Sequence, residues 1–102
     1  MMIMTRLFAI STLAAVLSGC GGPSDFKPTA GMSAADIFVD ACQACHGENG
    51  GGKFGFLLKI AGTETSAEEI ATVLKDGGHI MPSFPNMSEE EHLTLAAYVK
   101  AL

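Results

Sequence analysis

Three stretches of the chain have apolar residues at helical spacing, and each begins with a serine that has an acidic residue three positions later. The three pairs are Ser33 with Asp36, Ser66 with Glu69, and Ser88 with Glu91. A serine with a glutamate at this distance is typical of a capping box, in which each side chain accepts a hydrogen bond from the other residue's backbone N–H. Asp36 is a variant of that pattern. The chain therefore predicts three helices with defined starting points.

Behind each serine, the apolar residues fall on one face of the predicted helix. These faces consist of Ile37, Phe38, Ala41 and Cys42 in the first helix, Ile70, Val73 and Leu74 in the second, and Leu93, Leu95, Ala96, Tyr98, Val99 and Leu102 in the third. Gly77 ends the second helix. Between the first two helices, glycines at 47–52 precede an apolar stretch at 54–60, which predicts a loop and a short helix, with a short strand as the alternative. The pattern as a whole predicts an all-α fold.

Residues 1–19 have the features of an export signal. Arg6 precedes an apolar run at 7–17, which suits a signal peptide and is too short to span a bilayer. The sequence Leu-Ser-Gly-Cys that ends at Cys20 resembles the bacterial lipobox, in which the cysteine is lipidated and becomes the first residue of the mature chain. The alternative is an ordinary signal peptide that ends near a cysteine. We expect the protein to be exported. A lipid on Cys20 would then anchor it at the periplasmic side of a membrane.

The rest of the chain divides into a linker and one small domain. Residues 20–31 are rich in glycine, proline and serine and have little to bury, so we expect a flexible tether. Residues 32–102 then form the globular domain. A domain of this size usually needs a metal, a disulfide or a cofactor to supplement its apolar core.

The strongest chemical signal is the C-x-x-C-H sequence at 42–46, which is the attachment signature of a c-type haem. The two intervening residues allow one helical turn to present both sulfurs to neighbouring vinyl groups of the haem, and each sulfur forms a thioether. His46 follows directly, so its imidazole reaches the iron from the same side. We therefore predict one haem c, bound covalently through Cys42 and Cys45, with His46 as an axial ligand of the iron.

Three further uses of a cysteine pair fit the sequence less well. A thioredoxin-like motif needs a βαβ setting, and no strand pattern precedes Cys42. A zinc site needs four ligands, and the remaining donors, His79 and His92, each stand alone in the sequence. The third possibility is that Cys42 and Cys45 form a disulfide or an unreactive buried pair.

Met81 is the candidate for the second axial ligand of the iron. It lies in a loop that Pro82 and Pro85 stiffen, and rigidity matters because the thioether is a weak donor with which water competes. A Met/His ligand pair also raises the reduction potential. Met87 is the second candidate, although its position just before Ser88 suits a hydrophobic staple.

Two histidines are weaker competitors for the iron. His79 lies in the same loop as Met81 and could replace it if the loop rearranged. His92 falls in the polar first turn of the third helix, where we expect a solvated side chain.

These motifs resemble those of a small class I cytochrome c, and the resemblance covers residues 32–102. The shared features are Phe38 before the cysteine motif, Gly47 after it, the Met81-Pro82-x-Phe84 loop, and the ending Leu95-Ala-Ala-Tyr98-Val. The resemblance implies about three main helices wrapped around the covalently bound haem. It also implies that the first and last helices cross at Ala34, Phe38, Leu95 and Tyr98.

The chain departs from this family at one position. The family usually has a proline after the haem motif, and the carbonyl of that proline accepts a hydrogen bond from the ligand histidine. The equivalent position falls near Leu58, whose carbonyl can do the same. We also expect seven apolar residues in the pocket or core, where they exclude water: Phe38, Phe54, Phe56, Ile60, Leu74, Phe84 and Leu95.

The charge of the chain limits its partners. Residues 1–19 contain Arg6 and no acidic residue, so their removal changes the formal charge from −5 to −6. Many of the acidic residues lie in the first turns of the predicted helices, where their negative charge interacts favourably with the helix macrodipole. The acidic surface argues against nucleic acid and favours redox partner proteins with basic docking patches.

The sequence thus predicts a lipid-anchored periplasmic electron carrier, not an enzyme, that passes single electrons as its iron alternates between Fe(II) and Fe(III). One alternative is a haem-bearing subunit docked to a larger oxidoreductase. Another is a haem sensor of gas or peroxide in which Met81 is displaceable. The predicted tether and acidic surface favour the mobile carrier.

Overall fold

The computed structural model describes residues 22–102, so the predicted signal peptide and the candidate lipidation site Cys20 lie outside the described residues. The elements are α1 (Ala34–Ala41), α2 (Gln43–His46), a 3-10 turn (Glu48–Gly50), α3 (Ala67–Asp76) and α4 (Glu89–Lys100). Within residues 22–102 the only β-type pairing is an isolated bridge between Lys53 and Leu57. The all-α prediction is confirmed.

Serine caps begin the three longer helices where the sequence predicts them. At Ser66 and Ser88 the hydroxyl accepts from the backbone N–H three residues later, at 3.2 and 3.1 Å, and the glutamate there accepts from the serine N–H in return. Ser33 makes the first of these two bonds, to the Asp36 N–H at 3.1 Å. Gly77 ends α3 with a φ of 79°, a conformation that glycine adopts without strain. The predicted helix boundaries are therefore set by local hydrogen bonds.

The first and last helices meet at an aromatic pair. The rings of Phe38 in α1 and Tyr98 in α4 have centroids 5.7 Å apart and planes inclined at 51°. A tilted pair of this kind stabilises the contact beyond the apolar area that it buries. Phe38 and Leu95 are both buried, and Ala34 is half-buried at the start of α1. The predicted contact between the first and last helices is confirmed for Phe38 and Tyr98.

α3 lies against α4 and completes one apolar core. Its buried members are Ile37, Phe38, Cys42, Ala71, Leu74, Phe84, Met87, Leu95, Ala96 and Val99. Four of the seven predicted pocket or core residues belong to this cluster, and Ile60 is half-buried against it. Met87 is buried immediately before the cap of α4, at the position of a hydrophobic staple.

Two of the predicted pocket or core residues lie on the surface instead. Phe54 is 90 % exposed and Phe56 is 74 % exposed, so the prediction for both is wrong. The chain reverses at residues 53–57, where the backbone N–H groups of Lys53 and Leu57 donate to each other's carbonyls at 2.7 and 2.9 Å. Both rings project from this reversal, and neither reaches the core.

His92 is also placed differently from the prediction. It is only 5 % exposed, and its Nε2 lies 2.8 Å from the carbonyl oxygen of Phe84. Because a carbonyl only accepts, Nε2 carries the hydrogen. The first turn of α4 is polar in sequence, but its fourth residue faces the preceding loop, so the prediction of a solvated histidine is wrong.

The predicted tether contacts the domain. The Ser24 N–H donates to the Ser83 carbonyl at 2.8 Å, and the Asn86 side-chain amide donates to the Asp25 carbonyl at 3.3 Å. The side chain of Phe26 is half-buried against the core. The expectation that this segment has little to bury is wrong for Phe26, and packing begins within the predicted tether.

Candidate haem-binding site

The cysteine motif lies on one continuous helical turn where α1 joins α2. The Cys42 N–H donates to the Phe38 carbonyl at 2.9 Å, and the His46 N–H donates to the Cys42 carbonyl at 3.0 Å. These bonds keep the chain wound although the φ of Cys42 is −120°. Cys42 is buried, His46 is half-buried and Cys45 is exposed. The motif therefore reaches from the core to the surface around a single turn.

A backbone carbonyl orients the His46 imidazole. Nδ1 of His46 lies 2.7 Å from the carbonyl oxygen of Leu58, so Nδ1 carries the hydrogen. Nε2 then has a free lone pair, which is the form of histidine that binds a metal. The predicted role of the carbonyl near Leu58 is confirmed.

Glycines allow the following loop to fold back over His46. Gly47 has a φ of 79°, and a Cβ at this position would collide with the backbone of Gly52. The Gly52 N–H donates to the His46 carbonyl at 2.6 Å. This close approach returns the chain towards the motif, so that Leu58 reaches the imidazole.

The loop between α3 and α4 carries Met81 and is fixed to α3. The Phe84 N–H donates to the Leu74 carbonyl at 2.8 Å, and the Gly78 N–H donates to the Met81 carbonyl at 2.9 Å. Pro82 restricts φ between these two contacts. Met81 is half-buried against the core in this arrangement.

Two adjoining cavities lie between the motif and this loop, with volumes of about 180 and about 280 Å³. Both are lined by Cys42, His46 and Met81. The first is lined further by Ile60, Thr63, Thr65, Ile70, Val73, Leu74 and Val99. The second is lined further by Ala41, Cys45, Leu58, Ile80, Pro82 and Phe84. The fold thus brings all four of the predicted cofactor and metal residues to one mostly apolar space.

The two cysteines differ in environment. Burial raises the pKa of the Cys42 thiol from 9.0 to about 11, and the neighbouring Cys45 adds to the shift. At this pKa the free Cys42 thiol is protonated at neutral pH. It is therefore unreactive, because the thiolate is the nucleophilic form of cysteine. Cys45 is exposed at the opening of the second cavity.

The competing ligands lie away from these cavities. His79 is exposed, whereas Met87 and His92 are buried, and none of the three lines either cavity. Within residues 22–102, no three His, Cys, Asp or Glu side chains lie close enough to hold a metal ion. The described residues therefore give a zinc site no support.

The cavity walls include several residues that the sequence pattern does not identify. Ile80 is apolar and adjoins a candidate ligand, which is a signal that could have identified it. Thr63 and Thr65 lie in an irregular stretch between predicted elements, where no periodicity indicates which side chains face inward.

The side chains around the cavities fit a haem c. Two cysteines on one helical turn can form thioethers with neighbouring vinyl groups. An imidazole with a free Nε2 and a thioether are the donors that bind haem iron in Met/His cytochromes. The remaining wall is largely apolar, which suits the porphyrin ring and excludes water.

Fold and site together define a small monohaem c-type cytochrome. A family model described as "Cytochrome C oxidase, cbb3-type, subunit III" matches residues 29–99. The chain belongs to this cytochrome c family, and its cofactor is a covalently bound haem c with its iron.

Relatives of known sequence or structure agree with this assignment. Cytochrome c-550 of Bacillus subtilis (strain 168) is 40 % identical over 68 residues, which are 67 % of this chain and 57 % of the relative. The chain thus spans little more than half the length of that protein. The solved KustC0563 c-type cytochrome is 25 % identical, with a TM-score of 0.57, over 68 % of this chain and 95 % of its own. A mutant of OmcF is similar in fold at 22 % identity, with a TM-score of 0.57, over 71 % of this chain and 96 % of its own.

Proposed function

We propose that the protein is a periplasmic electron carrier, anchored by lipid on Cys20, that exchanges single electrons with redox partner proteins. In this proposal Cys42 and Cys45 hold the haem through thioethers, and His46 and Met81 bind its iron. The haem iron supplies the chemistry, which is one-electron exchange between Fe(II) and Fe(III). The observation that carries the proposal is that His46 and Met81 line the same two cavities as Cys42.

The protein's own residues prepare the site for that exchange. The Leu58 carbonyl holds the Nδ1–H of His46 and so leaves Nε2 available as a donor. The apolar walls keep water out, and together with the Met81 thioether they favour the reduced iron, which has the lower charge. Beyond the residues assigned to the haem, no side chain in the cavity walls is placed to donate a proton to a bound substrate except those of Thr63 and Thr65. This supports an electron carrier rather than an enzyme.

The opening of the second cavity is the proposed docking surface. Cys45 lies there beside Leu58 and Ile80, and Ile80 is 62 % exposed. Electron-transfer partners typically meet over small, weak interfaces. Removal of residues 1–19 gives a formal charge of −6, which favours partners with basic patches, and the association rate should fall as salt is added.

Visible absorption spectra of the oxidised and reduced holoprotein test the ligand set. A sharp reduced α band with a weak red charge-transfer band of Met–Fe(III) is the expected result, and Met81→Ala should abolish the charge-transfer band while the haem stays covalently attached. A haem spectrum without the Met band that shifts on addition of cyanide or carbon monoxide would contradict the carrier. That result would instead favour a sensor with a displaceable sixth ligand.

A permanently docked subunit is the second candidate, and one contact favours it. Because Ser24 is hydrogen-bonded to Ser83, only residues 21–23 separate Cys20 from the packed domain. Four residue steps span at most about 14 Å. A lipid on Cys20 would therefore hold the domain close to the membrane. A mobile carrier with a longer tether could move further from it. Purification in mild detergent separates the two, since a docked subunit co-elutes with its partner in fixed proportion.

A further inference from the structure

A short segment near the start of the described chain, Ser24–Phe26, crosses the loop that carries Met81. We call this segment the N-terminal strap. Its first residue donates its backbone N–H to the Ser83 carbonyl at 2.8 Å. Its middle carbonyl accepts from the Asn86 side-chain amide at 3.3 Å. The strap thus contacts the loop at two points on the side of Met81 that leads to α4.

The strap supplies a donor to a part of the loop that contains two prolines. Pro82 and Pro85 have no backbone N–H. The Ser83 N–H side faces Gly77 so closely that a Cβ on that glycine would lie 3.0 Å from the Ser83 nitrogen. The Ser83 carbonyl, two residues after Met81, obtains its donor from the strap, outside the loop.

The strap is itself held in place. The Phe26 N–H donates to the Ser24 hydroxyl at 3.2 Å, which fixes a bend between the two residues. The Phe26 side chain packs against the core cluster and is half-buried. Lys27, the next residue, is exposed. The contacts of the strap therefore end at Phe26, which packs on the same core as the loop.

We propose that the N-terminal strap is a positioning element that keeps the Met81 loop closed and so keeps the thioether on the iron. The proposal rests on the ligation by Met81 given under the proposed function. A thioether is a weak ligand, and an added ligand replaces it when the loop opens. Because Ser83 cannot move outward without losing its bond to the strap, removing strap contacts raises the fraction of open loop.

Cyanide binding to the ferric holoprotein measures that fraction. The experiment uses the full chain in detergent and follows the loss of the Met–Fe(III) band as cyanide is added. Asn86→Ala removes one hydrogen bond and should tighten the apparent cyanide affinity roughly fivefold. Phe26→Ala removes the apolar contact and should tighten it by about tenfold or more. Lys27→Ala, at the exposed position next to the strap, should leave the affinity unchanged.

A second control separates positioning from general stability. Ile37→Val removes a methyl group from the buried face of α1, at a position that lines neither cavity. It should lower the thermal unfolding temperature without changing the cyanide affinity. Strap variants that behave in the same way would overturn the proposal, since the strap would then contribute only to folding.

The outcomes also distinguish the strap from the ligand assignment. A Met band that is present in the wild type, lost in Met81→Ala, and equally resistant to cyanide in the strap variants would overturn the strap alone. A wild-type protein without a Met band would overturn both the ligation by Met81 and the strap. If Phe26→Ala does not accumulate with haem, Asn86→Ala provides the test, because its side chain is exposed.

Discussion

Nδ1 of His46 lies 2.7 Å from the carbonyl oxygen of Leu58, and Leu58 has a φ of 58°. A leucine in the left-handed region costs roughly 1–2 kcal/mol relative to the usual conformations. The turn that contains this unfavourable conformation directs the Leu58 carbonyl towards the imidazole. The backbone conformation at residue 58, rather than its side chain, therefore orients the histidine.

Leu58→Pro should break this contact, although many cytochromes of this class have a proline near this position. Proline fixes φ near −65° and cannot adopt the positive value found here. We expect a loss of about 1–3 kcal/mol in the unfolding free energy of the holoprotein, with a higher reduction potential, because an imidazole without this acceptor is less basic and stabilises Fe(III) less. Denaturant unfolding and redox titration measure the two effects.

Leu58→Gly is the matched control for this substitution. Glycine adopts positive φ freely, so the carbonyl should stay in place and the glycine variant should be more stable than the proline variant. A proline variant with wild-type stability and potential would show that the observed φ is not needed to hold His46.

Met81→Ala should leave the haem covalently attached but lower the reduction potential by on the order of 0.1 V or more, because thioether ligation favours Fe(II). Met87→Ala is the control. Met87 is buried in the core and lines neither cavity, so its truncation should cost about 2–5 kcal/mol of stability and leave the potential unchanged. Redox titration of both variants decides between the two methionines, and a reversed result would make Met87 the ligand.

Local signals in the sequence predicted the helices and much of the site. The caps at Ser33, Ser66 and Ser88 bond to residues three positions away, so their geometry depends on neighbours that the sequence itself displays. The spacing of the cysteine motif is equally local. Met81 could be predicted to lie near His46 through its loop and the family resemblance, and the cavities do bring the two together.

Features that depend on tertiary packing were not predictable in this way. Phe54 and Phe56 are large apolar residues of the kind usually found in a core, but the reversal at residues 53–57 directs both rings outward. His92 lies among glutamates in sequence, yet the loop before α4 provides a carbonyl that makes its burial favourable. The contact between Ser24 and Ser83 joins distant parts of the chain, and no local pattern indicates such a pairing.

His92→Leu should destabilise the fold without changing the iron ligands. The substitution removes the donor at 2.8 Å from the Phe84 carbonyl and leaves that carbonyl only the longer bond from the Met87 N–H at 3.4 Å, which should cost about 1–3 kcal/mol. Leu93→Ala, at the exposed neighbouring position, should change the unfolding free energy by less than about 0.5 kcal/mol. Thermal or denaturant unfolding measures both, and a change of the Met–Fe(III) band in His92→Leu would contradict a purely structural role.

Cys42 and Cys45 should differ in reactivity in the haem-free chain. A pKa raised from 9.0 to about 11 lowers the thiolate fraction of Cys42 by about 100-fold at pH 8, and Cys45 is exposed. Iodoacetamide should therefore alkylate Cys45 first, and peptide mass spectrometry identifies the modified site. Equal rates in guanidinium chloride serve as the control, whereas equal rates without denaturant would show that Cys42 is not buried in the haem-free chain.

The same shift gives a pH dependence to the stability of the haem-free chain. The folded-state pKa of Cys42 lies above the unfolded value. The contribution of the buried, protonated thiol to the unfolding free energy is therefore fully present below pH 9 and is lost as the pH rises to about 11. Attachment of the haem converts the thiol to a thioether, which does not titrate. The holoprotein should therefore lack this loss of stability in the same alkaline range.

Cys20→Ser should release the protein from membranes, because a serine at this position cannot accept the lipid. Each buried methylene of an acyl chain contributes about 0.8 kcal/mol to membrane binding, and within residues 22–102 no helix is long and apolar enough to cross a bilayer. Fractionation with detection of the haem should show the variant in the soluble fraction with an unchanged spectrum. Gly22→Ala is the control, because a Cβ at that position meets nothing within 4 Å and the lipobox-like sequence stays intact. A serine variant that still sediments with membranes after a salt wash would mean that another contact, such as a docked partner, holds the domain there.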